Sequence, residues 1–270
     1  MYGSIKDDFR RAWDKPNNAV AQIILINVIV FVVTGVFYIV GFDISRNWFG
    51  LPSNLSVIPT KIWTVITHMF VHDGFRHILF NMLFLYWFGK IIQEFLGSQK
   101  VIGLFVMGGL AGAVSFIAAY NLIPQYQEIS EIATVVGASA GVTALIIGAA
   151  VFMPDYTIYL LLIGPAKIKY VALVAIFLFL IGARAGSNVG GEFAHLGGAA
   201  MGWLYMTQVK KGNDIGAWVI STMNFFKALF KPSPKIKVTH RSERKSQSST
   251  SPAKGTRSDG TTQEEIDAIL

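Results

Sequence analysis

The chain contains no cysteine, and only 14% of its 270 residues are charged. The absence of cysteine excludes disulfide bonds, a thiol nucleophile and thiolate metal ligands. A typical soluble domain has about 25% charged residues, so this chain has too few charges to cover a water-facing surface. Hydrophobic residues make up 53% of the sequence. A soluble enzyme, a disordered chain and a disulfide scaffold are therefore disfavoured, and a lipid-facing surface is the alternative.

The apolar residues form long runs. A helix that crosses the ~30 Å hydrocarbon core needs about 20 mostly apolar residues. Six segments meet or approach this length, at 19–42, 77–96, 101–120, 134–153, 168–183 and 193–209. The first run is longer than the apolar region of a cleaved signal peptide and lacks a small-residue cleavage site, so we expect an uncleaved anchor. The sequence predicts an all-α membrane protein with a six-transmembrane-helix bundle.

Lysine and arginine are distributed unequally around these spans. Six spans put both termini on one side of the membrane, and that side receives 19 of the 23 basic residues. Cytoplasmic loops of membrane proteins are enriched in Lys and Arg, so we expect both termini in the cytoplasm. The net charge of +7 then reflects membrane orientation and a basic tail near anionic lipid, and no nucleic-acid partner is implied.

Composition divides the chain into four segments. We expect residues 1–18 to be a cytoplasmic N-terminal segment and residues 19–211 to form the six-helix domain. In residues 212–231, apolar side chains recur at helical spacing beside lysines, which predicts an amphipathic helix on the inner leaflet. Residues 232–270 are rich in Ser, Thr and Lys, and we expect a disordered cytoplasmic tail.

Two connecting segments are more apolar than ordinary loops. The outer loop, residues 43–76, carries Trp48 and Trp63, and tryptophan is enriched where membrane meets water. We therefore expect this loop to lie half-sunk at the membrane surface. Residues 156–163 are apolar but too short to cross a bilayer, which predicts an interfacial turn on the cytoplasmic side.

Two potentially catalytic side chains lie near the outer ends of predicted spans. Ser139 belongs to a span in which eleven of twenty residues are Gly, Ala, Ser or Thr, a composition suited to the centre of a bundle. His195 belongs to a span with a similar run of small residues. A lone membrane serine usually bonds only its own helix, but a histidine at matching depth can take its proton. We expect a Ser–His dyad without an acid, since Glu128, Glu131 and Glu192 are predicted to lie in loops.

His77 and Asn81 are four residues apart, so they share one face of the second span. Both side chains can donate hydrogen bonds to an oxyanion that develops during hydrolysis. The alternative is structural: His77 caps its helix, and Asn81 bonds to another span.

His68 and His72 precede this pair. Histidines at this spacing can bind zinc, but the metalloprotease motif requires a glutamate after the first histidine, and this chain has Met69 there. We expect both histidines to fasten loops through hydrogen bonds, and we expect no metal and no other cofactor.

These residues resemble the rhomboid family of intramembrane serine proteases in three patches. The first patch is HILFNMLF at 77–84, the second is GASA at 137–140, and the third is AHLGGAAMG at 194–202. The three patches follow the family's order on the second, fourth and sixth spans. The resemblance covers about residues 19–209 and does not include the tail.

The resemblance implies a role for each matching residue. Ser139 would be the nucleophile and His195 the general base, while His77, Asn81 and the Ser139 backbone N–H would form the oxyanion site. Three glycines would give structural support: Gly137 beside the serine, and Gly198 and Gly202 between the sixth and fourth helices. The outer loop would lie partly in the membrane, and the fifth span would gate substrate access.

Three positions depart from the family pattern. Thr64 follows Trp63 where the family often has arginine, so the anchoring of the outer loop is expected to differ. Thr143 stands where the family often has an aromatic residue packed on the catalytic histidine, and we expect a hydroxyl contact instead. Gln93, followed by Glu94, replaces an acidic residue near the inner end of the second span.

The resemblance implies a serine endopeptidase that cleaves membrane proteins in or near their transmembrane segments. We expect the bacterial inner membrane or plasma membrane as its location, because residues 1–18 lack the character of a transit peptide. A catalytically inactive rhomboid-like chaperone or binding protein is the first alternative. A proton-coupled transporter that uses His77 and His195 as a relay is the second.

Overall fold

The computed structural model describes residues 13–160, 164–185 and 188–230, which are mostly helical. The long helices are α1 (Ala19–Ile39), α2 (Phe75–Leu96), α3 (Ser98–Leu122), α4 (Ser139–Phe152), α5 (Ile168–Ala185), α6 (Val189–Lys210) and α7 (Ala217–Phe230). The first six correspond in order to the predicted spans, and α7 corresponds to the predicted amphipathic helix. The predicted tail, 232–270, and most of the N-terminal segment lie outside the described residues.

Short elements connect the long helices. The outer loop contains a π-helical turn (Ser45–Phe49), β1 (Leu51–Pro52), a 3-10 turn (Ile58–Lys61), a one-turn helix (Thr64–Thr67) and a second 3-10 turn (His68–Phe70). A further one-turn helix, Pro124–Gln127, follows α3, and β2 (Thr134–Val135) precedes α4.

The start of α4 differs from the prediction. Thr134 and Val135 form β2, which pairs antiparallel with β1 in the register Leu51 to Val135 and Pro52 to Thr134. Gly137 follows with a φ of +129°, a backbone conformation that residues with a Cβ rarely adopt. The chain therefore turns out of the strand at Gly137, and the helix begins at Ser139 rather than at residue 134.

Much of the segment predicted as a cytoplasmic turn, 156–163, is a β-strand, and residues 161–163 lie outside the described residues. Strands β3 (Thr157–Leu160) and β4 (Gly164–Lys167) pair antiparallel, with Thr157 opposite Lys167. Strands β3 and β4 form one two-stranded sheet and β1 and β2 another, so the described part of the chain is mostly helical but not purely α.

Two of the described helices, α1 and α3, are long and apolar enough to cross a membrane by length and composition. The helix α4 and the apolar part of α5, Ile168–Ala183, are apolar but shorter. Large apolar side chains are exposed along α1 and α5, including Val32, Val36, Leu173 and Phe177. Such continuous apolar surface is typical of a membrane interface. The six-span count and the cytoplasmic termini remain predictions.

The core lies where α4 passes between α3 and α6. Nearly every side chain of α4 is buried. Ala140 and Ala144 of α4 face glycines on both neighbours: a Cβ on Gly198 or Gly202 of α6 would collide with the carbonyl oxygens of Ala140 and Ala144. A Cβ on Gly108 or Gly112 of α3 would likewise collide with the Cβ of Ala144 or Ala140. The three backbones thus approach more closely than any larger side chain permits.

Gln93 connects α2 to the start of α1. Its side-chain Oε1 accepts a hydrogen bond from the Val20 N–H at 2.9 Å, and its backbone oxygen accepts one from Asn17 Nδ2 at 3.2 Å. Val20 is in the first turn of α1, where N–H groups have no partner within the helix. A neutral amide therefore satisfies an N-terminal donor of α1 at the position where the family pattern has an acid.

The outer loop is fastened by its own polar side chains. Trp63 Nε1 donates to the Trp48 oxygen at 2.7 Å, and Lys61 Nζ donates to the Asn47 oxygen at 2.8 Å. The buried Thr64 hydroxyl donates to the Lys61 oxygen at 2.7 Å. These bonds hold the loop without an arginine after Trp63.

His68 and His72 fix the turn that leads into α4. The His68 backbone oxygen accepts a hydrogen bond from the Gly137 N–H at 2.8 Å, and His72 Nε2 accepts one from the Ala138 N–H at 3.4 Å. His68 Nδ1 donates to the Thr64 oxygen at 2.9 Å. Both histidines are buried, and they fasten loops as predicted. No group of three or more potential metal-ligand side chains occurs among the residues that the structure describes.

Burial keeps both of these imidazoles neutral. Loss of hydration lowers the pKa of His68 from 6.5 to about 4. The same effect, with a smaller contribution from the nearby His77, lowers the pKa of His72 to about 3. A neutral ring is required for His72 Nε2 to accept the Ala138 N–H, since a protonated imidazole has no acceptor.

The close packing of α4 predicts opposite effects for one substitution at two glycines. Gly202→Ala should destabilise the protein by about 1–3 kcal/mol, because the new methyl group meets the Ala144 backbone. Gly35→Ala should be neutral or stabilising, because no atom lies within 4 Å of the new Cβ and alanine favours helix more than glycine does. Thermal unfolding in detergent measures both variants. Equal Tm values for the two would contradict this account of the core.

The buried histidines predict that stability falls on acidification. Below pH 6.5 the unfolded chain binds protons at His68 and His72, whereas the folded protein does not. The free energy of unfolding therefore falls as the pH falls, until the pH reaches the pKa values of the folded state, about 4 for His68 and about 3 for His72. Each histidine should lower the free energy of unfolding by about 2 kcal/mol between neutral pH and pH 5. Thermal unfolding at both pH values measures the loss. His72→Gln keeps an acceptor for Ala138 and should reduce the pH dependence by about half, whereas an unchanged dependence would refute the assignment.

Candidate active site

Four predicted site residues line one cavity of about 1030 Å³. Helix α2 contributes His77 and Asn81, α4 contributes Ser139, and α6 contributes His195. Apolar side chains of α2 and α5 complete much of the wall, among them Phe80, Phe84, Val174, Leu178 and Phe179. These four polar side chains therefore lie in a cavity that also has large apolar walls.

Ser139 is the first residue of α4. The first N–H groups of a helix have no partner within it, and no hydrogen bond from the Ser139 N–H occurs among the described residues. The helix dipole also gives this end a partial positive charge. A helix start at Ser139 therefore leaves both the hydroxyl and a backbone donor available at the cavity.

Gly137 brings the ring of His77 close to Ser139. A Cβ built on Gly137 would lie 2.8 Å from His77 Nε2 and 3.6 Å from Ser139 Oγ. Only a residue without a side chain leaves room for both groups. His72 packs edge-on against His77, with ring centroids 4.9 Å apart, so the loop that holds the turn also supports this ring.

Asn81 is buried one turn after His77, and its Nδ2 donates to the His77 backbone oxygen at 2.9 Å. The alternative of a bond from Asn81 to another span is not found among the described residues. An amide nitrogen has two N–H groups, so this bond leaves one donor for the cavity.

His195 is held by two side chains that the sequence did not predict. Its Nδ1 lies 3.2 Å from Glu192 Oε2, and its ring packs on Phe179 of α5 with centroids 4.5 Å apart. The prediction that Glu192 lies in a loop is wrong: α6 begins at Val189, and residues three apart on a helix are neighbours. Thr143 lines the cavity but makes no hydrogen bond to His195 in the described structure, and Phe179 provides the aromatic contact instead.

Ser139 Oγ and the His195 ring share the cavity without a direct hydrogen bond in the described part of the chain. Such bonds are often long in enzymes without substrate and tighten when it binds. The structure therefore brings Ser139 and His195 to one cavity, where no hydrogen bond joins the two side chains among the described residues.

The outer part of the cavity carries charges. Arg46 binds Asp73 through two hydrogen bonds of 2.8 and 2.6 Å, and its third contact is the Thr134 oxygen at 3.3 Å. These bonds connect the outer loop to the start of α2 and to β2. Arg76 lines the same region of the cavity. Neither Arg46 nor Arg76 is among the predicted site residues.

A family model described as the Rhomboid domain matches residues 59–211. This segment contains α2 to α6 and the four predicted site residues that line the cavity, His77, Asn81, Ser139 and His195.

Several curated relatives are similar to parts of the chain. RHOMBOID-like protein 12, mitochondrial, of Arabidopsis thaliana is 30% identical over 166 residues, which are 56% of this chain and 48% of that protein. Rhomboid-like protein 17, chloroplastic, of the same plant is 23% identical over 218 residues, 75% of this chain and 65% of that protein. Rhomboid protease GlpG of Salmonella newport (strain SL254) is 32% identical over 72 residues, 27% of this chain and 26% of that protein.

In each case the match spans less than two thirds of the relative's own length. The family model, in contrast, covers more than half of this chain. The protein therefore belongs to the rhomboid family of membrane proteins.

Proposed function

We propose that this protein is an intramembrane serine endopeptidase. The observation that carries the proposal is the joint lining of one cavity by Ser139, His195, His77 and Asn81. Family membership adds to it, because one relative is a rhomboid protease. The substrates are membrane proteins that are cut in or near a transmembrane segment.

In the proposed reaction, Ser139 Oγ attacks the carbonyl carbon of the scissile peptide bond while its proton passes to His195. The tetrahedral oxyanion accepts hydrogen bonds from His77, Asn81 and the Ser139 backbone N–H. His195 then protonates the leaving amine, and the C–N bond breaks to give an ester on Ser139. A water molecule, deprotonated by His195, hydrolyses this ester and releases the new carboxylate. No cofactor takes part.

The proposed setting is a six-span domain with both termini in the cytoplasm, in a bacterial inner membrane or plasma membrane. The short α4 supports a sunken site. Its 14 residues extend about 21 Å, less than the ~30 Å of hydrocarbon, so a helix that reaches the cytoplasmic side begins below the outer surface. A substrate segment must expose a carbonyl that a helix normally hides, so segments that unwind easily, with Gly or Pro, are preferred.

A non-catalytic binding role is the second candidate. The observation that favours it is the missing hydrogen bond between Ser139 Oγ and His195 among the described residues. A cavity with apolar walls on α2 and α5 can also hold a membrane segment without cutting it.

Replacement of the serine separates the two candidates. Ser139→Ala should abolish both cleavage of a Gly-containing transmembrane peptide in liposomes and labelling by a fluorophosphonate probe, because the nucleophile is lost. Ser115→Ala is the matched control: Ser115 is on α3, and its hydroxyl packs against Gly197 outside the cavity lining, so this variant should retain activity. Unlabelled parent protein, or parental cleavage by Ser139→Ala, would refute the protease assignment.

A further inference from the structure

The imidazole of His195 is enclosed from two directions. Glu192 lies one turn earlier on α6, and its Oε2 is 3.2 Å from His195 Nδ1. Phe179 of α5 covers the ring at 4.5 Å. The side chains of His195 and Glu192 are only 15% and 17% exposed. Because water has little access, this pair is less screened than an ion pair on the surface.

Helix α5 covers the carboxylate as well as the ring. A Cβ on Gly182 would lie 2.7 Å from Glu192 Cδ and Oε1, so a side chain at residue 182 would displace the carboxylate from its present position. Phe179 and Gly182 are three residues apart on α5, and Glu192 and His195 are three residues apart on α6. Phe179 faces His195, and Gly182 faces Glu192. The glutamate is therefore part of a fitted contact between two helices.

We propose that Glu192 is the positioning carboxylate of a Ser139–His195–Glu192 triad. The inference rests on the proposed protease function and extends it, since the sequence predicted a dyad without an acid. A carboxylate accepts the hydrogen of Nδ1, which leaves the lone pair of Nε2 free to take the serine proton. Its negative charge also stabilises the imidazolium that forms during attack.

The other groups around His195 do not compete for this role. His77 of α2 also lines the cavity, where it is proposed to donate a hydrogen bond to the oxyanion. Arg46 and Asp73 are paired with each other in the outer part of the cavity. Phe179, the contact from α5, carries no charge. Among the described residues, Glu192 is the acidic side chain in contact with the catalytic imidazole.

Three variants test the inference with the full-length protein in detergent. The rate of Ser139 labelling by a fluorophosphonate probe is measured, a reaction in which the Oγ–P bond forms, the P–F bond breaks and His195 takes the proton. Glu192→Gln has nearly the same shape but no charge, and it should slow labelling at least ~10-fold. In the peptide-cleavage assay, kcat should fall by a similar factor with KM little changed, because orientation of the base acts on the reaction and not on substrate binding.

Glu192→Asp retains a carboxylate on the same helix face, so its labelling rate should lie between those of the parent and Glu192→Gln. Glu128→Gln is the matched control, the same change at an exposed glutamate outside the cavity lining, and should label at the parental rate. Thermal unfolding checks that each variant is folded. If Glu192→Gln does not fold, Glu192→Ala is measured in its place, and a labelling rate equal to the parent's in that variant refutes the triad.

Parental labelling by folded Glu192→Gln, or no faster labelling by Glu192→Asp than by Glu192→Gln, would overturn the inference. Either result leaves the protease assignment intact as long as labelling and cleavage still require Ser139. Labelling that persists in Ser139→Ala would instead overturn the proposed function itself.

Discussion

Direct contact between the backbones of α4, α3 and α6 is the constraint on which the rest of the structure depends. Ala140 and Ala144 fit between glycines on both sides, and a single added methyl group at Gly198 or Gly202 would meet a carbonyl oxygen. In lipid, helices gain little from hiding apolar side chains from water, so close van der Waals contact must hold them together. The same contact sets the distance between Ser139, one residue before Ala140, and His195, one turn before Gly198.

The strand before α4 matters as much as the helix itself. Pairing of β1 with β2 and the bonds from Gly137 and Ala138 to His68 and His72 stop the helix from extending back toward residue 134. Because the helix begins at Ser139, the backbone N–H of this proposed nucleophile has no partner within the helix. A longer helix, as the apolar run alone predicted, would have used that N–H internally and removed a donor from the site.

The apolar runs predicted the helices α1 to α6, because a long run of mostly apolar residues favours a helix that is buried or faces lipid. Only α1 and α3 among the described helices are long and apolar enough to cross a membrane by length and composition. The apolar runs predicted the helix ends poorly. Residues 134–138 are as small and apolar as the helix that follows, so hydropathy could not reveal β2. The prediction began the sixth span at residue 193, and this error hid Glu192, which helical spacing from His195 would otherwise have indicated. The contact with Phe179 depends on how α5 packs, which no local pattern records.

At the positions that depart from the family pattern, other residues provide the expected contacts. The residue four after Ser139 is threonine, yet the histidine still packs on an aromatic ring, now from Phe179 on α5. Gln93 likewise accepts the Val20 N–H with a neutral oxygen. The first change has the larger consequence. An aromatic residue on α4 would lie within the tightly packed core, whereas α5 exposes much of its apolar surface. The orientation of His195 is therefore coupled to a peripheral helix, and any displacement of α5 uncovers the imidazole and Glu192 together.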